Sequence, residues 1–444
     1  MNVKLLMDES TKELSIYLKG IEEFLNNFSE MKHIKKPINI FPDAYIKRWG
    51  FPSGITIISE EDGLVFPAAA PDLGCGFRII KTNLDIHMFN DDLAKEILIQ
   101  LEDMAGVDSK IRMKKVANLD KERIFSQGVL YLLEMGIGSQ EDLEKIQGIG
   151  TNKSKKLHIS EKDKDLLIEN FGICAGHFLE VRYVTDIFNK TVGSKLNLSV
   201  GQIIIIIHSS SYVGKEIILE NYYRPAIEFM LSKKLVSNEQ LNRGIFGLPI
   251  KSELGKAYIE ASNALVEYSY ASRHFAQYLV NEVLNNVFGD KVEFELISDI
   301  CHSKIEYLDN GDVLHGRGVQ KIYPIGDANT LPYYSDTGDV ALLAGQKGTE
   351  SHLIIPTSQI KETSYLCSHG TGEFLVEKDV HDVPVSVRKE LELCSFDTQY
   401  DELDEFTLDY FNTKMCLKEL EENQKIINKV CRLAPLINYW GDKE

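Results

Sequence analysis

Apolar residues in this chain gather in short runs bounded by Gly, Pro and Asx residues, and between those runs they recur at helical spacing. The short runs are Gly63-Leu64-Val65-Phe66-Pro67, Phe77-Arg78-Ile79-Ile80, the stretch through Phe178-Leu179-Glu180-Val181, Ile203 to Ile207, Val292 to Ile297 and Leu353-Ile354-Ile355-Pro356. Each reads as a buried strand, and the unbroken β-branched run at Ile203 to Ile207 reads as a central one. Helical spacing covers Ile16 to Phe28, residues 90–170 (as in Asp91 to Ala105 and Lys121 to Met135), residues 252–287, and an acidic C-terminal stretch of about sixty residues. Phe41 to Gly54 reads as a packed loop, since its Pro and Gly break regular structure while its aromatics call for burial. The fold class is α/β (α+β), with residues 90–170 a helical insertion on the sheet core.

Chemistry-bearing residues collect where these strands end. Asp72 and Cys75 share a turn with Gly74 and Gly76 between two apolar runs. His177 follows a Gly-bearing turn, His208 leaves the isoleucine run into Ser209-Ser210-Ser211, and His302 follows Asp299-Ile300-Cys301. A hard carboxylate and a soft thiolate aimed at one point suit a borderline divalent ion. Taken alone, Ala70 to Phe77 is equally a buried structural Cys beside a turn-forming Asp, and His208 alone is a core histidine. Together, three imidazoles, a thiolate and a carboxylate exceed the ligand set of one tetrahedral ion, so two metals sharing the thiolate is the economical arrangement. His369 is left over, in Ser368-His369-Gly370-Thr371-Gly372, where the glycines let a bulky group approach its ring.

Charge and composition narrow the classes. Lys and Arg number 49 against 67 Asp and Glu, a net charge of −18, which excludes holding nucleic acid by bulk charge and requires a local basic patch for any polyanion. Lys32/His33/Lys35/Lys36, Lys47/Arg48, Lys110/Arg112/Lys114/Lys115 and Lys153/Lys155/Lys156 are the clusters available, each singly a solvated face. The seven cysteines lack CxxC pairing and read as reduced thiols. With no uninterrupted signal-peptide core from Met1 to Lys19 and no aliphatic run long enough to span a bilayer, a cytoplasmic protein without a membrane partner is expected. Walker, dinucleotide-glycine and Lys-x-Asp-Gly motifs are absent. Gln140 to Gly150 resembles half of a helix-hairpin-helix, and equally a plain helix C-cap.

The order of motifs resembles the RtcB family of RNA-splicing ligases. The resemblance runs from Phe41-Pro42-Asp43 through Asp72-Leu73-Gly74-Cys75-Gly76, Gly176-His177-Phe178-Leu179-Glu180, Ile207-His208-Ser209, Cys301-His302, His315-Gly316-Arg317-Gly318, Pro356-Thr357-Ser358 and Ser368 to Gly372, to Arg432-Leu433-Ala434-Pro435-Leu436. It implies one catalytic domain over residues 1–444, with mixed central sheets around a two-metal site. It also implies joining of RNA 3′-phosphate or 2′,3′-cyclic phosphate ends to 5′-hydroxyl ends with GTP and two Mn(II) ions, and an archease-like activator as a possible partner. By motif, Asp72, Cys75, His177, His208 and His302 would hold the metals, with Cys75 the bridge. His369 would take GMP as a phosphoramidate, with Glu180, Ser358, Ser364, Gly370, Gly372 and Trp440 around the nucleotide. Several family cations are replaced, by Gly316-Arg317, Tyr212, Glu373 and Trp440, while Gly176 and Tyr45 replace an Asn and a His. Two other readings keep the metals or the fold without the joining step: a 3′-end phosphoesterase or capping enzyme, and a non-catalytic end-binding protein.

Overall fold

The computed structural model describes residues 3–7, 18–29, 31–46, 51–69, 72–148, 158–174, 177–242, 244–289, 291–345, 349–370 and 413–439. The isoleucine run becomes strand β7 (Gln202–Ser209) inside a seven-stranded sheet. The order of that sheet is β13 (Ala341–Leu343), β14 (Ser351–Pro356), β16 (Ile427–Tyr439), β6 (Phe178–Ile187), β7, β5 (Gly76–Asp85), β9 (Phe294–Cys301). All of its neighbouring strands are antiparallel. Ile203, Ile204, Ile206 and Ile207 are wholly buried, which is why this strand carries no polar alternation.

A second, five-stranded sheet is ordered β1 (Val3–Leu5), β2 (Ile38–Ile46), β3 (Pro52–Ser59), β11 (Val313–Arg317), β10 (Ser303–Tyr307). Its β1 and β2 run parallel and its other pairs antiparallel, so it is mixed. Two small ladders complete the sheets among the described residues, β12 (Val319–Lys321) with β15 (Leu366–Ser368) and β4 (Leu64–Val65) with β8 (Leu248–Pro249). The fold is α/β, as expected.

Helices lie where the spacing puts them: Leu18–Ser29, several short ones between Asp91 and Glu169, and one long helix, Glu253–Phe288. Ser252 caps the long helix by accepting from the Gly255 N–H at 3.0 Å. Gln140–Lys145 forms a 3₁₀ turn rather than an α-helix end, and the chain beyond it docks on β9 through Ile146 and Asp299. No helix among the described residues is long and apolar enough to cross a membrane.

Two expectations change. Phe41 to Gly54 is mostly strand: β2 continues to Ile46 and β3 starts at Pro52. Pro42 is tolerated because the β2–β3 register shifts between Ile40 and Tyr45, so no ladder donor is asked of it. The C-terminal stretch is not helical throughout. After Thr413–Lys418 and one further turn, Ile427–Tyr439 is a strand within the seven-stranded sheet, with Ile427, Val430, Leu433 and Tyr439 buried. Packing of those apolar positions overrides the helical reading given by the acidic composition upstream.

Candidate metal centre

Strand register brings the distant histidines to one place. Gly76 of β5 pairs with Ser209 of β7 on one side and Cys301 of β9 on the other. Cys75 and His302, just outside these pairs, and His208, one step inside on β7 and paired with Phe77, therefore share one end of three adjacent strands. Phe178 of β6 pairs with His208, which adds His177 to the same end. The turn that holds Cys75 closes with its N–H donating to the Asp72 carbonyl at 3.0 Å, and the His302 N–H donates to the Cys75 carbonyl at 2.7 Å. Gly74 has φ +80, and a Cβ there would sit 2.1 Å from Ser269 Oγ of the long helix, so this turn admits only glycine.

Side chains converge accordingly. Cys75 Sγ lies 3.1 Å from His208 Nε2 and 3.5 Å from His177 Nδ1, and the ligand atoms of the three residues all fall within 4.8 Å of one another. His208 Nε2 is also 3.2 Å from His302 Nε2. A single proton on that nitrogen can serve only one of its two contacts, whereas a cation among the donors serves all of them. Tetrahedral nitrogen and sulfur ligands at ordinary bond lengths would stand about 3.5 Å apart. The donor set therefore fits a metal ion.

Asp72 stands at the rim, half-buried, with its carboxylate 3.5 Å from Arg317 Nη2. Arg317 also donates from Nη1 to the Phe51 carbonyl at 2.7 Å, and so joins the two sheets. Cys75, His177 and His208 group tightly, with His302 adjoining through His208.

His369 lies beside the cluster, its ring centroid 4.5 Å from that of His302. One carboxylate oxygen, Asp43 Oδ2, accepts from His369 Nδ1–H at 2.9 Å, from the His369 backbone N–H at 3.2 Å and from the Gly370 N–H at 3.1 Å. Asp43 is 1% exposed. With Nδ1 carrying the proton, the ring's lone pair is on Nε2. Gly318, at φ +65, packs against this ring: a Cβ there would lie 3.0 Å from His369 Cε1 and 2.2 Å from Ser53 Oγ. The role of Asp43 has no separate sequence signal beyond a lone acid in an apolar stretch within the Phe41-Pro42-Asp43 motif.

Other expected nucleotide contacts are dispersed. Both Glu180 oxygens are taken by Arg182, from Nε at 2.6 Å and Nη2 at 2.8 Å, and both residues are buried. Ser358 and Ser364 are exposed at the two ends of the 3₁₀ turn Ser358–Thr363. Gly370 bridges to Ala344. Gly372 and Trp440 lie outside the described residues, as do Gly176 and Glu373. His315 is a satisfied core residue: Nε2 accepts from the Phe66 N–H at 3.1 Å, Nδ1 donates to the Ile57 carbonyl at 3.3 Å, and burial lowers its pKa to about 4. Among the basic clusters, Arg112 is buried against backbone carbonyls, and Lys35 is paired with Asp312.

The family model for the tRNA-splicing ligase RtcB matches residues 24–441. A tRNA-splicing ligase RtcB of Pyrobaculum aerophilum is 26% identical over 76% of this chain and 72% of its own length. That of Archaeoglobus fulgidus is 24% identical over 82% of this chain and 78% of its own. An RNA-splicing ligase RtcB homolog 1 of Entamoeba dispar is 25% identical over 74% and 64% respectively.

Proposed function

The chain belongs to the RtcB family, and from that premise we propose that it is an RNA ligase that seals 3′-phosphate or 2′,3′-cyclic phosphate ends to 5′-hydroxyl ends through a nucleotide carried on His369. The observation that supports this reading best is the Asp43–His369 pair, which fixes the proton on Nδ1 and leaves Nε2 as the nucleophile beside the histidine cluster.

A terminal phosphate has no leaving group, so it must be capped before a hydroxyl can displace anything from it. His369 Nε2 attacks the α-phosphorus of GTP; the N–P bond forms as the bond to pyrophosphate breaks. Asp43 holds the Nδ1 proton throughout and stabilises the imidazolium that results. Where the end is a 2′,3′-cyclic phosphate, water first breaks the P–O2′ bond to give the 3′-phosphate; an oxygen of that 3′-phosphate then displaces the histidine, giving a capped 3′ end, and the 5′-hydroxyl displaces GMP. Cys75, His177, His208 and His302, with Asp72 completing the set, would hold Mn(II). Two ions there would draw charge from the phosphates and orient the leaving group.

The engagement of Glu180 by Arg182 favours a second reading in which guanine is not the base recognised. Incubation of the protein with Mn(II) and α-labelled GTP, with ATP in parallel, separates the two by gel and intact mass. An acid-labile GMP adduct that disappears in His369→Ala is expected. An adduct with ATP alone would move the cofactor. No adduct with either nucleotide in metal-loaded protein would overturn nucleotidyl transfer in favour of an end-processing or end-binding role.

A further inference from the structure

Behind the histidine cluster lies a fully buried group of charges that the ligand reading leaves without a role. Arg273, 0% exposed on the long helix, sends its Nη1 to two carbonyls, Gly74 at 2.6 Å and Ser209 at 2.9 Å. Its Nε donates to Asp299 Oδ1 at 2.9 Å, and Nη2 stands 2.9 Å from the same oxygen. Gly74 immediately precedes Cys75, Ser209 immediately follows His208, and Asp299 lies on β9 just ahead of His302. From this arrangement we infer that Arg273 is a positioning residue of the metal centre, one guanidinium fastening the three segments that present Cys75, His208 and His302.

The surroundings are built for that task. Asp299 Oδ2 accepts from Arg78 Nη1 at 3.1 Å, and Arg78 continues to Gln277 at 2.6 Å and Asp142 at 3.3 Å, so the two buried cations face two buried carboxylates. The Arg273 guanidinium lies over the Tyr270 ring at 4.8 Å, and the Tyr270 oxygen accepts from the Cys301 N–H at 3.1 Å. A Cβ on Gly76 would come 3.0 Å from Arg273 Nη2, so the glycine leaves the guanidinium its place beside the strand. A planar fork with five donors in fixed directions can hold two carbonyls and a carboxylate at once. An ammonium cannot match that geometry.

Arg112 supplies the comparison. It too is buried and donates to four carbonyls, those of Gly106, Val107, Glu169 and Phe171, at 2.6–3.2 Å, all in the helical region and none adjoining a proposed ligand. Arg112→Lys therefore removes a guanidinium clamp of the same kind without touching the ligand segments.

The inference rests on the metal-centre reading, and the test separates the two. Metal-free protein is titrated with Co(II) alone, reading the thiolate-to-cobalt charge-transfer band and the thermal unfolding midpoint. Arg273→Lys is expected to weaken cobalt binding about 10–100-fold, the usual effect of disturbing groups that orient ligands, and to change the band. Arg112→Lys is expected to lower the unfolding midpoint with cobalt affinity unchanged. If Arg273→Lys does not fold, Asp299→Asn replaces it, releasing β9 from the clamp with the same expected direction. Affinity unchanged in the folded Arg273 or Asp299 variant, or lowered equally in Arg112→Lys, would overturn the inference. A parent protein that gives no charge-transfer band would overturn the metal-centre reading, and this inference with it.

Discussion

Replacing Asp43 by Asn tests the nucleophile most directly, because the change keeps size and shape. In the parent, Oδ2 takes three hydrogen bonds: from His369 Nδ1 at 2.9 Å and from the N–H groups of His369 and Gly370 at 3.2 and 3.1 Å. Hydrogen bonds to a charged group contribute about 1.5–3 kcal/mol each. The amide keeps a carbonyl able to accept from these donors, but it loses the negative charge that stabilises the imidazolium formed on attack. It also no longer fixes the proton on Nδ1, so part of the population carries it on Nε2 and cannot attack. Loss of about 3–5 kcal/mol at the transition state corresponds to about a 10²–10⁴-fold slower reaction. The assay is the single-turnover rate of adduct formation with α-labelled GTP at saturating Mn(II), with metal content and unfolding midpoint measured on the same sample. A rate within about threefold of the parent, in protein with normal metal content, would refute the role given to Asp43 and the tautomer assigned to His369.

Gly318→Ala should slow adduct formation at least about tenfold and destabilise by about 1–3 kcal/mol, because the new Cβ meets Ser53 Oγ and the His369 ring at a φ of +65. Gly311→Ala, at φ +84 but facing only the flexible Glu61 side chain at 3.3 Å, controls for backbone strain; equal adduct rates in the two variants would refute the crowding. His274 predicts a pH dependence: burial, then the Arg78 charge, lower its pKa from 6.5 to about 3, so the native state refuses a proton that the unfolded chain takes. That stability is present above pH 6.5 and is lost as pH falls toward 3, about 2 kcal/mol of it by pH 5. Denaturant unfolding of His274→Gln at pH 7 and pH 5 should show a correspondingly shallower fall, and identical slopes for parent and variant would refute it. Cys75→Ala should abolish bound metal and all activity, since its sulfur contacts both His177 and His208; elemental analysis finding two ions retained would remove Cys75 as the bridge.

Residues that announce themselves at strand ends were legible in the sequence. Asp72, Cys75, His177, His208, His302 and His369 each stand beside glycine or hydroxyl residues where an apolar run stops, and that local pattern needs no knowledge of pairing. Residues that act through burial were not legible. Arg273 occupies a stretch, residues 252–287, whose spacing reads only as a helix, and Asp43 occupies a segment whose Pro and Gly read as loop. Asp43 meets His369 from 326 residues away, and the partners of Arg273 lie 26, 64 and 199 residues from it, set side by side only by the register of β5 against β7 and β9. The C-terminal strand was hidden for the related reason that its place in the sheet is set by β6 and β14 on either side, not by its own period.

The sheets themselves explain why the proposed metal ligands and the proposed nucleophile come from separate parts of the architecture. Cys75, His177 and His208 hang from the ends of strands in the seven-stranded sheet, whereas Asp43, which holds His369, belongs to the five-stranded one. His302 is the residue at which the chain leaves β9 in the first sheet and enters β10 in the second. Its carbonyl accepts from the Val319 N–H at 3.1 Å, next to the glycine that packs on the His369 ring. The placement of the Cys75/His177/His208 cluster relative to His369 is therefore set by how the two sheets are joined, through His302, through Gly318, and through Arg317, which reaches from Asp72 to the Phe51 carbonyl. A substitution that loosens this junction would leave each half intact and spoil only their alignment, so nucleotidyl transfer should be far more sensitive to it than metal content or global stability.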